Sequence, residues 1–342
     1  VKCFTREAPG LRERYAAISE HLRRAKLPFT VDFTYLEKGI RVAGAWRPAL
    51  KMQWVEGLTL NQFVAQFLDK PAMLEALLQI WARMAQYLRA AEIGHCDLQH
   101  GNVLLVPGAT PTSLALKLID YDGMWVPALA GNKPGEVGHP NYQHPQRLRE
   151  GTYNIDVDRF PLLLVATALR ALKARKALWA KYDNGDNMLF KEADLSQPAA
   201  SAVFQELAAL PDPGLAVLAA HVRAALAGGL KSAPLLEEAM PEVRPAPAPA
   251  RSPRPPTSIK TQKTAAVTTN VSAPNDALDF DAAAGGIVSP SMRTKAPSKS
   301  KRGGLPVAAW IGGGAALAVV SATAVALTAW ALTADHGRPA PT

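Results

Sequence analysis

The stretch HCDLQHGNVLL, residues 95–105, decides how this chain is interpreted, together with LKLIDYDG at residues 116–123. In the first stretch Asp97 is followed five residues later by Asn102, and the second stretch places Asp120 directly after an apolar run. Carboxylate and amide oxygens are the ligands that Mg²⁺ prefers, and a further carboxylate can accept the proton of a hydroxyl group. The pattern predicts that Asp97, Asn102 and Asp120 converge from two loops on one site.

Two short apolar runs flank the loops that carry these residues. Residues 103–105 read VLL and residues 116–119 read LKLI, and both are predicted to be buried strands. A His and an Asp in one loop more often form an ordinary hydrogen-bonded turn. The second strand, which ends in Asp-Tyr-Asp-Gly, favours a metal site over that alternative.

At these residues the chain resembles the protein-kinase-like superfamily, and in particular membrane-anchored bacterial Ser/Thr kinases. The family's catalytic loop reads H-R-D-x-x-x-x-N and its metal loop reads D-F-G. The resemblance implies ATP and Mg²⁺ as cofactors, Asp97 as the catalytic base, and Asn102 and Asp120 as the magnesium ligands. It also implies an α+β class, with a bilobal kinase-like fold that has an incomplete N-lobe and a helical C-lobe.

Three positions depart from the family pattern. Cys96 replaces the Arg of the catalytic loop, Gln99 replaces the usual Lys, and Asp122 replaces the Gly of the metal loop. The family Arg usually receives a phosphate from the activation segment, so its replacement predicts activity that does not depend on phosphorylation there. Asp-Tyr-Asp and His-Gly-Asn are similar to the aminoglycoside and choline phosphotransferase branch, whose members phosphorylate small molecules.

The N-terminal residues VKCF resemble the strand that carries the family's phosphate-anchoring Lys. Lys2 is the candidate, and it would pair with the inner phosphates of the nucleotide; an ordinary solvated Lys is the alternative. Residues 11–24 have a helical apolar stripe and correspond to the helix that carries the partner Glu. Glu13 and Glu20 are both candidates for that partner, and both are also compatible with a surface charge.

Residues 49–57, ALKMQWVEG, resemble the strand and hinge that join the two lobes. The resemblance implies that the backbone around Gln53 to Val55 binds the adenine edge and that Met52 lines the pocket behind it. An apolar strand that ends in a Gly turn is the alternative. The position of this segment between the Lys strand and the catalytic loop favours the hinge.

Residues 138–145, GHPNYQHP, resemble G-T-P-x-Y-x-A-P, the end of the activation segment that forms a platform for peptide substrates. Small-molecule kinases generally lack this segment, so it favours a protein substrate. Gln146 stands where the family has a Glu. Helices are predicted at 60–67, at 73–92 and at 156–169, where a leading Asp would tie down the catalytic loop or simply cap the helix.

The predicted function is ATP- and Mg²⁺-dependent phosphotransfer to protein Ser/Thr by a membrane-tethered kinase-like domain, with an unidentified protein as substrate. The alternatives are a small-molecule kinase of the aminoglycoside or choline phosphotransferase type and a catalytically inactive pseudokinase scaffold. The chain begins at the Lys strand with Val rather than Met, so we expect an N-terminally truncated kinase domain without the Gly-rich loop. Nucleotide binding should be weaker without that loop.

Composition divides the chain into five parts. Pro, Ala, Ser and Thr dominate the segment after the C-lobe, which predicts a disordered linker. The apolar run that follows is longer than the about 20 residues that cross a bilayer, which predicts one transmembrane helix. The predicted parts are a partial kinase N-lobe at 1–56, a kinase C-lobe at 57–232, the linker at 233–304, the transmembrane helix at 305–334 and a short tail at 335–342.

The residues around the predicted span set its orientation and its partners. Trp310 and Trp330 lie near its ends, and the glycines at 312–314 suggest self-association by close helix packing. Basic residues precede the span, which predicts a single-pass protein of the cytoplasmic (inner) membrane with the kinase-like domain in the cytoplasm. They also account for part of the net charge of +9, so no nucleic-acid partner is predicted. Two cysteines are too few for a disulfide framework, and the histidines near the catalytic motifs lack the spacing of a zinc site.

Overall fold

Short antiparallel strands alternate with helices in the part of the chain that the computed structural model describes, residues 1–4, 10–108, 113–242 and 278–279. These residues belong to a unit that spans residues 1–290, and a second unit, residues 291–342, lies outside the described residues. The described strands are β1 (Lys2–Cys3), β2 (Phe33–Val42), β3 (Ala45–Met52), β4 (Leu58–Thr59), β5 (Val103–Pro107), β6 (Ser113–Leu118) and β7 (Leu278–Asp279). The described helices are α1 (Leu11–Ala25), α2 (Leu60–Phe67), α3 (Pro71–Ala90), α4 (Pro145–Glu150), α5 (Arg159–Ala174), α6 (Ala177–Tyr182), α7 (Glu192–Ser196), α8 (Ala202–Ala208), α9 (Pro213–Gly228) and α10 (Leu236–Ala239).

The first sheet brings the N-terminal strand beside a segment from further along the chain. β3 lies between β1 and β2, all neighbours are antiparallel, and Lys2 pairs with Leu50. α1 packs against β2 and buries Tyr15, Ile18 and one further leucine, at the helical spacing of three and four residues. The helix predicted for this stretch is confirmed.

The second sheet contains the two strands predicted on either side of the candidate loops. Its order is β4-β5-β6-β7, all neighbours are antiparallel, and Val103 pairs with Leu118. β5 is buried along its length up to Pro107. Because β5 begins directly after Asn102 and β6 ends two residues before Asp120, this register places both side chains at the same end of the sheet.

The remaining helices supply most of the hydrophobic core. The stripe predicted for residues 73–92 is confirmed on α3, where Leu77, Trp81 and Met84 are fully buried. The indole N–H of Trp81 donates to the carbonyl oxygen of Leu162 in α5 at 3.0 Å, so the largest side chain of the stripe is also satisfied as a donor. Packed helices together with small antiparallel sheets confirm the predicted α+β class.

The folded chain continues past the residue at which the disordered linker is predicted to begin. Ala233, Leu236 and Met240 are buried, α10 packs against α3, α5 and α9, and Arg170 forms an ion pair with Glu242 at 2.7 Å. The linker boundary predicted from composition is therefore wrong. A few large apolar side chains among Pro and Ala are enough to bury a short helix, and a composition average hides them.

One short part of the predicted linker also has regular structure. β7 adds a strand to the second sheet, with Leu278 opposite Leu114. The rest of the linker from residue 243, the predicted transmembrane helix at 305–334 and the tail lie outside the described residues. The helices that are described include none with the length and hydrophobicity that a membrane span needs.

Candidate active site

The loop between α3 and β5 holds Asp97 and Asn102 against each other. The Nδ2 of Asn102 donates to the Oδ2 of Asp97 at 2.8 Å and to the main-chain oxygen of Asp97 at 3.0 Å. Both residues are buried, so water competes little for these hydrogen bonds. Because Asp97 engages the amide nitrogen of Asn102, the amide oxygen is the atom available to a cation.

Asp158, at the start of α5, ties down this loop. Its carboxylate accepts the main-chain N–H groups of His95 at 2.5 Å and of Cys96 at 2.8 Å. Cys96 has a φ of 66°, a conformation that residues with a Cβ rarely adopt, so the loop depends on these two hydrogen bonds. The leading Asp predicted to hold the catalytic loop is thus Asp158, whereas Asp156 pairs with Arg89 at 3.0 Å near the surface.

Asp120 lies beside the same loop because a main-chain hydrogen bond and a side-chain contact join the segments. The N–H of Ile119 donates to the carbonyl oxygen of Asn102 at 3.0 Å, and the Nε2 of His95 is 3.0 Å from the carbonyl oxygen of Ile119. Asp120 has a φ of 63°, and strained non-glycine backbone of this kind is concentrated at functional sites. The predicted oxygens therefore come from chain segments that are hydrogen-bonded to one another.

The N-terminal strand places Lys2 beside the carboxylates of Asp120 and Asp122. Its Nζ lies 3.0 Å from the Oδ1 of Asp120 and 2.5 Å from the Oδ2 of Asp122. Partial burial opposes the positive charge, but the hydrogen bonds and charges of the two carboxylates outweigh it and raise the pKa of Lys2 above its ordinary value. Lys2 is the cation that faces this group of carboxylates.

The glutamate predicted on α1 does not pair with Lys2. Glu20 forms an ion pair at 2.5 Å with an arginine one turn along the same helix, and Glu13 is exposed to solvent. The prediction that one of the two serves as the partner is therefore wrong. Instead, α1 turns Tyr15 toward Asp122, and the Tyr15 hydroxyl donates to the Oδ1 of Asp122 at 2.5 Å.

Glu136 is a further carboxylate near these residues, and sequence reasoning missed it. A Cβ built on Gly123 would lie 3.4 Å from its Oε1. Partial desolvation and the charges of Asp97, Asp120 and Asp122 raise the pKa of Glu136 to about 7, although its side chain still meets solvent. A single Glu between two glycines gives no periodic or motif signal, so only the folded chain reveals it.

Residues 138–145 lie against Asp97. The main-chain N–H of His139 donates to the Oδ1 of Asp97 at 2.7 Å, so both carboxylate oxygens of this residue accept a hydrogen bond. Gly138 has a φ of 79°, and a Cβ there would lie 2.8 Å from the Oδ1 of Asp97 and 2.7 Å from the Nε2 of Gln143. Only glycine permits so close an approach. The segment predicted to form a substrate platform is thus brought to the candidate base.

The predicted hinge follows β3 directly. The N–H of Gln53 donates to the carbonyl oxygen of Asp32 at 2.8 Å, so this donor is engaged within the protein. That the backbone around Gln53 to Val55 binds a nucleotide base stays a prediction. Met52 and Val55 are half-buried and pack against the core, whereas Trp54 is 80% exposed. A nucleotide base at this segment would therefore have Met52 and Val55 as its apolar contacts and would need a donor other than Gln53.

Within the described part of the chain, no group of three or more His, Cys, Asp or Glu side chains has the geometry of a metal site. Asn102 and Asp120 supply two oxygens at the end of the β5–β6 pair. No family model matches the sequence, and a search of curated proteins finds no significant match.

Proposed function

We propose that this protein transfers the terminal phosphoryl group of Mg·ATP to Ser or Thr hydroxyl groups of a protein substrate, on a bilobal kinase-like fold. The observation that carries the proposal is the placement of Asp97, Asn102 and Asp120 on loops that hydrogen-bond to each other. This placement combines a proton acceptor with two oxygen ligands for a hard cation. Phosphoryl transfer depends mainly on such positioning and on electrostatic stabilisation.

Each residue has a separate part in the proposed reaction. Asp97 accepts the proton of the substrate hydroxyl, while the N–H of His139 and the Nδ2 of Asn102 hold its carboxylate in one orientation. An ionised carboxylate offers about four lone-pair sites, so the two hydrogen bonds leave room for the hydroxyl. Asn102 and Asp120 would hold magnesium, which supplies charge neutralisation between the phosphates, and Lys2 would hold the inner phosphates.

Residues 138–145 support a protein rather than a small molecule as the acceptor. His139 contacts Asp97 directly, and the hydroxyl of Tyr142 forms a hydrogen bond of 2.6 Å with the Nδ1 of His100 in the catalytic loop. The segment is therefore held beside the base at these two points. A fixed segment in this position can orient an extended peptide so that its hydroxyl meets Asp97.

The test is Mg²⁺-dependent transfer of labelled phosphate from ATP by the full chain, with Asp97→Asn as the inactive variant. Loss of the base should lower the transfer rate about 10²- to 10⁴-fold. Asp69→Asn is the matched control, because Asp69 is an exposed carboxylate whose ion pair lies far from the site. Equal rates for the wild-type chain and Asp97→Asn would contradict the proposed role. Label on small amines or sugars with none on protein would favour a small-molecule kinase.

A nucleotide-binding scaffold without transfer is the second candidate. The contact between Lys2 and Asp120 favours it, because a lysine that occupies a proposed metal ligand competes with the cation. Mg·ATP binding by the wild-type chain without transfer to protein or to small acceptors would support the scaffold. Transfer that requires Asp97 would exclude it.

We also propose that residues 305–334 attach the protein to the cytoplasmic membrane, on the strength of their length and apolar composition. The full chain should sediment with membranes and resist extraction by alkaline carbonate. A chain that ends at residue 304 should be released. Recovery of the full chain in the supernatant would contradict this part of the proposal.

A further inference from the structure

We propose that Asp122, held by α1, is the residue that positions Lys2 for the nucleotide, in the role that the family resemblance gives to a glutamate of α1. Tyr15 and Arg14 are the α1 residues that hold it. The inference rests on the proposed function, because it concerns how that site places its lysine. It makes Asp122 and Tyr15 positioning residues.

The contacts of Lys2 distinguish the two carboxylates beside it. Its Nζ is 2.5 Å from Asp122 and 3.0 Å from Asp120, and the side chain of Asp122 is 20% exposed against 37% for Asp120. Asp120 is the carboxylate that the proposed cation requires. A dication on Asp120 would repel the ammonium group of Lys2, so Asp122 is the carboxylate better placed to keep Lys2 as its partner during nucleotide binding.

Two adjacent residues of α1 hold Asp122. Tyr15 binds its side chain, and Arg14 binds its main chain. The hydroxyl of Tyr15 donates to the Oδ1 of Asp122 at 2.5 Å. The guanidinium of Arg14 donates twice to the main-chain oxygen of Asp122, at 2.8 Å from Nη2 and at 3.1 Å from Nε. The carboxylate is therefore fixed from the helix on one oxygen and free to meet the lysine on the other.

The hydroxyl of Tyr15 is itself held in place by neighbouring rings. The ring of Tyr15 stacks on Tyr35 with centroids 5.5 Å apart and planes at 16°, and it meets Phe33 edge-on at 5.9 Å. Tyr35 and Phe33 belong to β2, in the same sheet as the strand that carries Lys2. Helix, sheet and metal loop thus meet at Asp122, which is the arrangement needed to set the position of a lysine.

A double-mutant cycle on thermal unfolding of the full chain tests the pair without any need for enzymatic activity. The variants are Lys2→Met, Asp122→Asn and the double change, with Lys2→Met and Glu20→Gln as the matched cycle. The unfolding midpoints should be non-additive by about 1 °C or more for Asp122 and additive for Glu20. Additive midpoints in the Asp122 cycle, or equal coupling in the Glu20 cycle, would overturn the assignment.

The second measurement is the dissociation constant of Mg·ATP, together with kcat and KM of the transfer reaction. Asp122→Asn should raise the dissociation constant about tenfold, and Tyr15→Phe should raise it by a smaller factor, whereas Glu13→Gln and Glu20→Gln should stay within about twofold of the wild-type chain. An unchanged dissociation constant and KM for ATP in Asp122→Asn would overturn the positioning role. A wild-type chain that transfers no phosphate but shows these binding differences would overturn the proposed function while the positioning of Lys2 stands.

Discussion

Several histidines near the site act as acceptors for main-chain N–H groups two residues further along the chain. In each case Nδ1 accepts, so the proton lies on Nε2 in the neutral ring, as the surrounding hydrogen bonds assign it. These histidines thus have a local structural role in the described part of the chain. The pairs are His95 with Asp97 at 3.4 Å, His139 with Asn141 at 3.2 Å and His144 with Gln146 at 3.0 Å.

His144 should make the stability of the protein fall in acid. Burial lowers the pKa of His144 below 6.5, and its Nε2 is 3.0 Å from the carbonyl oxygen of Ala225. The folded chain thus binds fewer protons than the unfolded chain, so the stability present above pH 6.5 is lost as the pH falls below that value. We expect the thermal midpoint to fall from about pH 7.5 to about pH 5.5, and to fall less in His144→Asn, whose amide oxygen can still accept the N–H of Gln146.

Glu136 should have the opposite effect on how stability changes with pH. Its pKa is raised to about 7, so the folded chain binds more protons there than the unfolded chain and Glu136 favours folding as the pH falls. Glu136→Gln removes this opposing contribution, and the midpoint should then fall more steeply in acid. If both variants have the pH profile of the wild-type chain, the titration of these two groups does not control stability.

The sequence revealed the residues of the site that lie near one another in the chain. Asp97, Asn102 and Asp120 could be predicted because one strand pair brings their loops together. The partner of Lys2 could not, because Asp122 lies 120 residues further along the chain and no local pattern encodes a contact of that separation. The expectation that a glutamate of α1 pairs with Lys2 failed because the helix turns Tyr15, rather than an acidic residue, toward Asp122.

Among the secondary-structure elements, α4 contains an unusual buried cation. Arg147 is fully buried, and its Nη1 donates to the Oε1 of Gln143 while its Nε donates to the carbonyl oxygen of Thr152 at 3.4 Å. Burial raises the pKa of Asp158, and the charge of Arg147 offsets part of that effect. The charge of Arg147 in α4 thus acts on the carboxylate that holds the main chain of His95 and Cys96.

Loss of the Gln143 amide, which accepts a hydrogen bond from Arg147, should destabilise the folded chain. We expect Gln143→Leu to lower the free energy of unfolding by about 2–3 kcal/mol, because it leaves a donor of a buried guanidinium without its acceptor. Urea denaturation measures this change. Gln146→Leu, three residues further along the chain, is the control, since Gln146 is partly exposed and accepts one N–H from Leu230 at 2.8 Å. It should cost about 1 kcal/mol or less. Equal losses for the two variants would show that the buried arginine does not depend on Gln143.

Helical periodicity predicted the long elements well because burial of one face is a local property of the sequence. α1 and α3 follow their apolar stripes, and α2 has the predicted bounds. The hydrogen bond of Gln53 to Asp32 was not predictable, since it depends on how the chain passes beside β3 rather than on either segment alone. Tertiary contacts therefore decided the details that the periodic pattern left open.

For the molecule as a whole, residues 233–242 are the segment in which packing departs from what composition predicts. Leu236 is 3% exposed and Met240 is 1% exposed, and both belong to the segment that composition assigns to a disordered linker. A chain that ends at residue 242 should therefore be more stable than one that ends at residue 232, by about 2–4 kcal/mol in the free energy of unfolding. This figure is about the loss that truncating one buried Leu or Met side chain produces in a core.

Chemical denaturation of the two shortened chains measures that difference, and side-chain substitutions identify its source. Leu236→Ala combined with Met240→Ala in the chain that ends at residue 242 should reproduce most of the loss, because these side chains fill the space beside α3, α5 and α9. Leu235, which precedes α10 and is only partly buried, is the control, and Leu235→Ala should cost less. Equal midpoints for the two chain lengths would contradict this prediction, because the buried contacts of α10 would then add nothing to stability.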